Sequence, residues 1–203
     1  MMRIAATVFP LLAVAIATCA SAQASRPSAD ELSRLPDEPT AAGNAIAIKI
    51  PEVPATLRPA DGSRLLLQVH ATGVQIYECA QGANSAWEWQ FRGPEATLFN
   101  ASGAKVGDHG AGPFWRLEDG SRIVGQVKAS SPAPTAGAIP WLLLSVKSRS
   151  GVGGLDPVDA VQRINTVGGV APPASECVAA ATGRTVRIGY SADYLFWGVA
   201  PSR

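Results

Sequence analysis

The sequence predicts an all-β domain, or a mainly β one with minor helix, folded as a single sandwich or barrel and closed by one disulfide. Three observations predict it. Short runs rich in β-branched and aromatic residues recur between Gly and Pro punctuation. No stripe of helical period about ten residues long occurs after the first 22 residues. Two cysteines, Cys79 and Cys177, remain once an N-terminal leader is set aside.

The leader comes first. Met1-Met2-Arg3 is a short cationic start, and Ile4 to Thr18 is apolar apart from Thr7 and Thr18. Ala20-Ser21-Ala22 then places small residues at the positions a signal peptidase reads, and Ala22-Gln23-Ala24 offers a second cut. The apolar run is shorter than the roughly 20 residues of a spanning helix, and Pro10 interrupts it. Thr18 before Cys19 fits a lipoprotein cleavage site poorly. We therefore expect residues 1–22 to be a signal peptide, a secreted or periplasmic product, and no integral membrane segment after cleavage. Residues 23–44 read as a Pro/Ala-rich linker, with a short helical turn over residues 28–35 where Ser28 can cap and Glu31 follows. Residues 45–203 form the single β domain, with 45–50 as a candidate first edge strand.

From residue 61 the punctuation is that of sheet structure. Asp61-Gly62 opens a strand over 63–69, and Thr72-Gly73 opens another over 74–79. Residues 86–92 alternate Trp87, Trp89 and Phe91 with Glu88 and Gln90, the pattern of a strand with one buried face. Strands over 114–118 and 121–129 flank Asp119-Gly120, a dipeptide suited to a two-residue hairpin turn. The apolar run 141–146, led by Pro140, reads as a strand buried on both faces. Residues 159–167 fit a short helix or a strand. The chain closes on 184–197, where Val186, Ile188, Tyr190, Tyr194 and Phe196 alternate, with a break at Ser191-Ala192 left open. The stretch 61–69 repeats at 119–127 with six of nine residues identical, which turn chemistry alone explains: each Asp-Gly feeds a strand.

An oxidising compartment and an even cysteine count pair Cys79 with Cys177. Closing a loop of nearly 100 residues stabilises by about 4–5 kcal/mol in the chain-entropy account. His70 and His109 show no zinc-ligand spacing with these cysteines, so no metal site is expected. Lys plus Arg number 17 and Asp plus Glu 16 in a chain that is 47% hydrophobic. That balance lacks the basic footprint of a nucleic-acid binder.

As an ordered set, several motifs resemble an uncharacterised secreted family, domain-of-unknown-function family 3455. They are Gly73-Val-Gln-Ile-Tyr-Glu-Cys79, Gly107-Asp-His-Gly-Ala-Gly-Pro-Phe-Trp115, Ala138-Ile-Pro-Trp-Leu-Leu-Leu144, Val161-Gln-Arg-Ile-Asn-Thr-Val-Gly-Gly169 and Tyr190-Ser-Ala-Asp-Tyr194. The likeness spans roughly residues 45–197. Some members carry a malate dehydrogenase label, which this sequence does not support. A dinucleotide fingerprint needs its third glycine, and Gly151-Val-Gly-Gly-Leu-Asp156 has Asp there, followed by Pro157. No cofactor is expected. Family members often carry Thr where this chain has Phe114.

Among chemistry-bearing residues, His109 stands out in the Gly-rich stretch 107–113, beside Asp108 and shortly before Trp115. Histidine is the usual acid or base near neutral pH, and Asp108, Asp119 or Asp193 could orient it. The candidates are His109 with Asp119 for catalysis, and Trp115, Trp197 and Arg163 for ligand binding. Arg163 and Gln162, which flank apolar Val161 and Ile164, either recognise a carboxylate or simply cap the sheet edge. The bland alternatives are a histidine that ties a loop to backbone, and tryptophans that fill a core, as expected for Trp89 and Trp141. Weak catalytic constellations beside clear core signals point to an exported binding or structural module, with a small molecule or glycan as partner. The alternative is a cofactor-independent hydrolase or isomerase using His109.

Overall fold

A computed structural model describes residues 48–199. The signal segment, the linker and the turn over 28–35 lie outside them. Among the described residues eight antiparallel strands follow one another around a closed barrel: β1 (Ser63–Gln81), β2 (Trp87–Phe99), β3 (Lys105–Gly110), β4 (Phe114–Leu117), β5 (Arg122–Ser131), β6 (Trp141–Ser150), β7 (Ala160–Gly168) and β8 (Thr185–Val199). Pairing of β1 with β8 closes the ring. The choice between sandwich and barrel thus resolves as a barrel. Cys79 on β1 is bonded to Cys177, which follows the single-turn helix Ala174–Glu176 between β7 and β8. No described helix is long and apolar enough to cross a membrane.

Several strand boundaries differ from the sequence reading. Thr72-Gly73 is no turn; it lies inside the 19-residue β1. A Cβ at Gly73 would meet Glu95 O at 2.1 Å and Ala96 Cα at 2.5 Å, so glycine there permits a close approach of β2. The hairpin loop between β4 and β5 is three residues, not two, closed by Leu117 N–H donating to Ser121 O at 3.0 Å. Gly120 takes the left-handed angle (φ 89°) such a loop needs, and Gly62 (φ 80°) does the same before β1. The two Asp-Gly-Ser-Arg repeats are accordingly two turns, each leading into a strand. Residues 159–167 resolve to strand, and β8 runs unbroken through Ser191-Ala192. Residues 48–50, the described part of the expected edge strand, are not in a strand.

Alternation fills the barrel. Val69, Ala71, Leu98, Trp115, Ile123, Leu144, Val161, Tyr194 and Phe196 face inward, and Leu155 and Val158 pack with them from the loop after β6. The wide indole of Trp115 fits because β5 presents Gly125 beside it. A Cβ there would sit 2.9 Å from the Trp115 ring and 3.1 Å from Leu144. A second apolar cluster lies on the outer side of β6, β7 and β8, where the arm preceding β1 covers Trp141, Ile164 and Leu195 with Leu57. Strand β6 is therefore covered on both faces, as its apolar run requires. Trp141 is buried, at 6% exposure. Trp89 departs from expectation: it is only half-buried, with Nε1 donating to Pro173 O at 3.3 Å. The reason is a bulge opposite Ile76 and Tyr77, past which the β1–β2 ribbon runs on toward the disulfide-linked segment. The face with Trp87, Trp89 and Phe91 thus leaves the core, and Phe91 is 53% exposed.

Candidate functional site

His109 is on strand β3, not in a loop. The glycines around it answer to close packing: a Cβ at Gly107 would meet Arg116 O at 2.2 Å, and one at Gly110 the Phe114 ring at 2.4 Å. In register, Ala96, His109, Trp115 and Ile123 stand opposite one another across β2 to β5, so their side chains share the inner face. The imidazole stacks on Trp115, with centroids 4.7 Å apart and planes 17° apart. It also tilts against Tyr194 at 4.9 Å. Trp115 in turn presents its face or edge to Tyr194 and Phe196 at 5.3 and 6.1 Å.

His109 is 4% exposed and lies 2.7 Å from Phe114 O through Nδ1. A carbonyl only accepts, so Nδ1 carries the proton and Nε2 the lone pair. Burial pushes the imidazole down to about 3; the Phe114 carbonyl opposes this and the charge of Arg163 adds to it. The ring is therefore neutral at physiological pH.

Beside this stack a pocket of ≈ 360 Å³ opens at the mouth of the barrel. Its walls are aromatic and aliphatic: Phe91, Trp115 and Tyr194 with Val127, Leu142 and Leu144. His109 borders it, and Arg92 and Arg163 supply charge at its rim. Arg163 stands opposite Tyr194 on β8 and Leu142 on β6, which places it on the inward face of β7. Its Nε and Nη2 both donate to Pro140 O, at 3.1 and 2.8 Å. Trp115 Nε1 and Tyr194 Oη are buried without a hydrogen-bond partner among the described residues, as are Gln75 Nε2 and Tyr190 Oη. The two tyrosine hydroxyls neighbour each other without meeting hydrogen-bond geometry. Burial pushes both up, while the positive charge of Arg163 pulls in the opposite direction.

The remaining sequence candidates lie elsewhere. Asp119 Oδ1 accepts from Ser121 N–H (2.8 Å) and Ser121 Oγ–H (2.6 Å), and Oδ2 from Gly154 N–H (2.7 Å). Gly154 N–H first, then Ser121, holds its carboxyl below the usual range. It pins the β4–β5 turn to the loop after β6 and makes no bond to His109. Asp108 points outward to Arg116 and Lys105, each at 3.1 Å. It borders a wider depression of ≈ 720 Å³, whose Glu95 and Arg187 are also paired with each other. Trp197 is half-buried in the outer cluster, its Nε1 donating to Gln162 Oε1 at 2.7 Å. The structure therefore brings together His109, Trp115 and Arg163, and leaves Asp119 and Trp197 outside.

Sequence reasoning missed three site features. Tyr194 was legible as an inward residue of β8 but not as a wall of the pocket. Phe91 reaches the rim only because of the bulge. The histidine that does hold a carboxylate is His70, with Nδ1 2.7 Å from Asp193 Oδ1; Asp193 Oδ2 accepts from Asn165 Nδ2 at 2.8 Å. That pair joins β1 to β8 across 123 residues, beyond any local signal. Among the described residues no three His, Cys, Asp or Glu side chains gather as a metal-ligand set.

A family model described as a protein of unknown function, DUF3455, matches residues 59–198, the whole barrel apart from the last residue of β8. No curated protein and no solved structure matches the chain.

Proposed function

The chain belongs to DUF3455, a family of proteins of unknown function, and we propose from its own geometry that it is an exported binding module that takes a small, flat, mainly apolar molecule into the mouth of its barrel. The observation that carries this reading is the ≈ 360 Å³ pocket walled by Trp115, Tyr194, Leu142, Leu144 and Val127. Concave, largely apolar sites with a few polar groups are the usual form of a small-molecule site, and barrel mouths are a recurrent place for them. Flat aromatic walls favour flat ligands by offset or edge-on contact. Export is supported by the Cys79–Cys177 bond, since such bonds persist chiefly in oxidising compartments.

The chemistry favours binding over acid–base catalysis. A histidine held near 3 is a weak base at neutral pH, and the proton on Nδ1 is committed to Phe114 O. The carboxylates of Asp108, Asp119 and Asp193 are engaged by other partners.

Titration of the purified protein with 2-naphthol, followed by thermal unfolding, tests the reading. At a hundredfold excess over Kd, linkage raises stability by about 2.7 kcal/mol. For a domain of this size that corresponds to a Tm rise of roughly 5–10 °C. Val127→Trp, at a half-exposed position on the rim, should fill the mouth and suppress the rise. A panel of flat apolar probes that leaves Tm unmoved, or a Val127→Trp protein that binds as well as its parent, contradicts the reading.

A further inference from the structure

We infer that Arg163 makes the barrel mouth selective for an anion, so that the molecule it takes is an apolar carboxylate whose acid group lies against the guanidinium. This rests on the reading of the mouth as a binding site and adds the chemical class of the ligand. Four observations carry it.

The residues bordering the pocket include two arginines and no Asp or Glu. Arg92 is neutralised by Glu78, with Nε donating to Oε2 at 3.0 Å. Arg163 has no carboxylate partner among the described residues. One positive charge at the edge of an apolar cavity is thus left without a counter-charge from the protein.

Part of the donor set of Arg163 is also left over. A guanidinium carries five N–H groups in a planar fork. Nε and Nη2 converge on a single acceptor, Pro140 O, which fixes the plane of the fork. The rest of the fork remains for a second acceptor. A carboxylate matches this geometry in a way that a hydroxyl or amide does not.

Position on the inward face directs that charge at the pocket. Arg163 stands opposite Tyr194 and Leu142, both walls of the cavity. Its field reaches Tyr194, Tyr190 and His109, whose ionisation it shifts in the sense expected of a nearby cation.

His109 sets the ligand's orientation. Its ring is neutral and its Nδ1–H is engaged by Phe114 O, so it offers a carboxylate neither charge nor that donor. The acid group therefore lies at the rim by Arg163, and the apolar body lies inward against Trp115. Exposed Phe91 and Val127 extend the apolar surface on the far side of the mouth.

The test compares two isosteric probes, 2-naphthoate and 2-naphthamide, by calorimetric titration of the whole protein at low salt. Charge-assisted bonds to a half-exposed arginine predict a preference for naphthoate of about tenfold. Arg163→Gln should bring the ratio of the two affinities close to one, and Arg163→Lys should restore part of it. A second variant adds charge and leaves Arg163 intact: Val127→Glu places an acid at the rim and should lower the ratio below that of the parent protein. If the parent binds both probes equally, if the ratio survives Arg163→Gln, or if Val127→Glu leaves it unchanged, the anion inference is wrong and the mouth still binds flat apolar molecules. If neither probe binds the parent, the binding reading fails together with it.

Discussion

Replacing His109 with Asn keeps a donor pointed at Phe114 O and removes the only group in the inner stack that can take up a proton below pH 7. Free imidazole titrates near 6.5, and burial holds His109 at about 3. Above pH 6.5 neither the folded nor the unfolded chain holds the proton, and His109 contributes no pH dependence. As pH falls below 6.5 the unfolded chain accepts a proton that the folded barrel refuses, so stability falls. The loss continues until about pH 3, where the folded ring protonates as well. Linkage puts it at about 2 kcal/mol at pH 5 and about 3 kcal/mol at pH 4, relative to pH 8. Carboxylates held low in the fold, such as Asp108 and Asp119, contribute mainly below pH 4, and every group shared by parent and variant cancels in the comparison of the two. The assay is urea unfolding of parent and His109→Asn protein at several pH values with the disulfide intact. Asn leaves a small void, which lowers stability equally at every pH. The reading is therefore the difference in slope: the parent should lose about 2 kcal/mol between pH 8 and pH 5 that the variant keeps. Parallel pH profiles would refute the account of His109 as a buried neutral ring.

Two further outcomes are expected. Replacing both Cys79 and Cys177 with Ser opens a loop of sequence separation 98 and should lower stability by about 2–4 kcal/mol in urea unfolding, with binding of flat probes retained at temperatures where the barrel stays folded. Asp119→Ala removes three hydrogen bonds from an exposed turn and should cost about 1 kcal/mol by the same measurement. Naphthoate affinity in that variant should be unaltered, since Asp119 borders no part of the pocket; a large loss would return Asp119 to the site.

Much of the barrel was legible because its signals are local. The period-two runs of β8, the apolar run of β6 and the Asp-Gly turns each report on a few neighbouring residues, and each marks an element that exists. The disulfide was legible from the even count of cysteines and the expected compartment. What failed was any glycine or aromatic residue whose role depends on a distant strand. Gly73 reads as a turn unless one knows that Glu95 O would stand 2.1 Å from its Cβ. Gly107 and Gly110 read as a loop around His109 for the same reason. Trp87, Trp89 and Phe91 alternate as a buried face should, yet the bulge opposite Ile76 and Tyr77 carries them out of the core. At the site, side-chain chemistry points to Trp115 and Arg163, while whether Asp108, Asp119 or Asp193 orients His109 depends on how distant strands meet, and Asp119 is bonded to Ser121 and Gly154 instead.

The same alternation explains how a charge without a carboxylate partner came to lie at the mouth. In a closed barrel each strand sends every second residue inward, where an ionised group costs several kcal/mol unless it is paired or reaches water. Asp108 and Arg116 flank inward His109 and Trp115, and so fall outside and pair there. Asp193 falls outward beside Tyr194 and takes His70 and Asn165. Arg163 falls on the inward face, with inward-facing Tyr194 and Leu142 as its partners in register. It escapes the cost because β7 reaches the rim there, and Pro140 O steadies its fork while part of the side chain still meets solvent. A residue needed only for folding could be Leu or Val at that place and would pack better against Leu142. An arginine whose stem covers apolar wall and whose head is left without a counter-charge makes sense if something outside the chain supplies the negative partner.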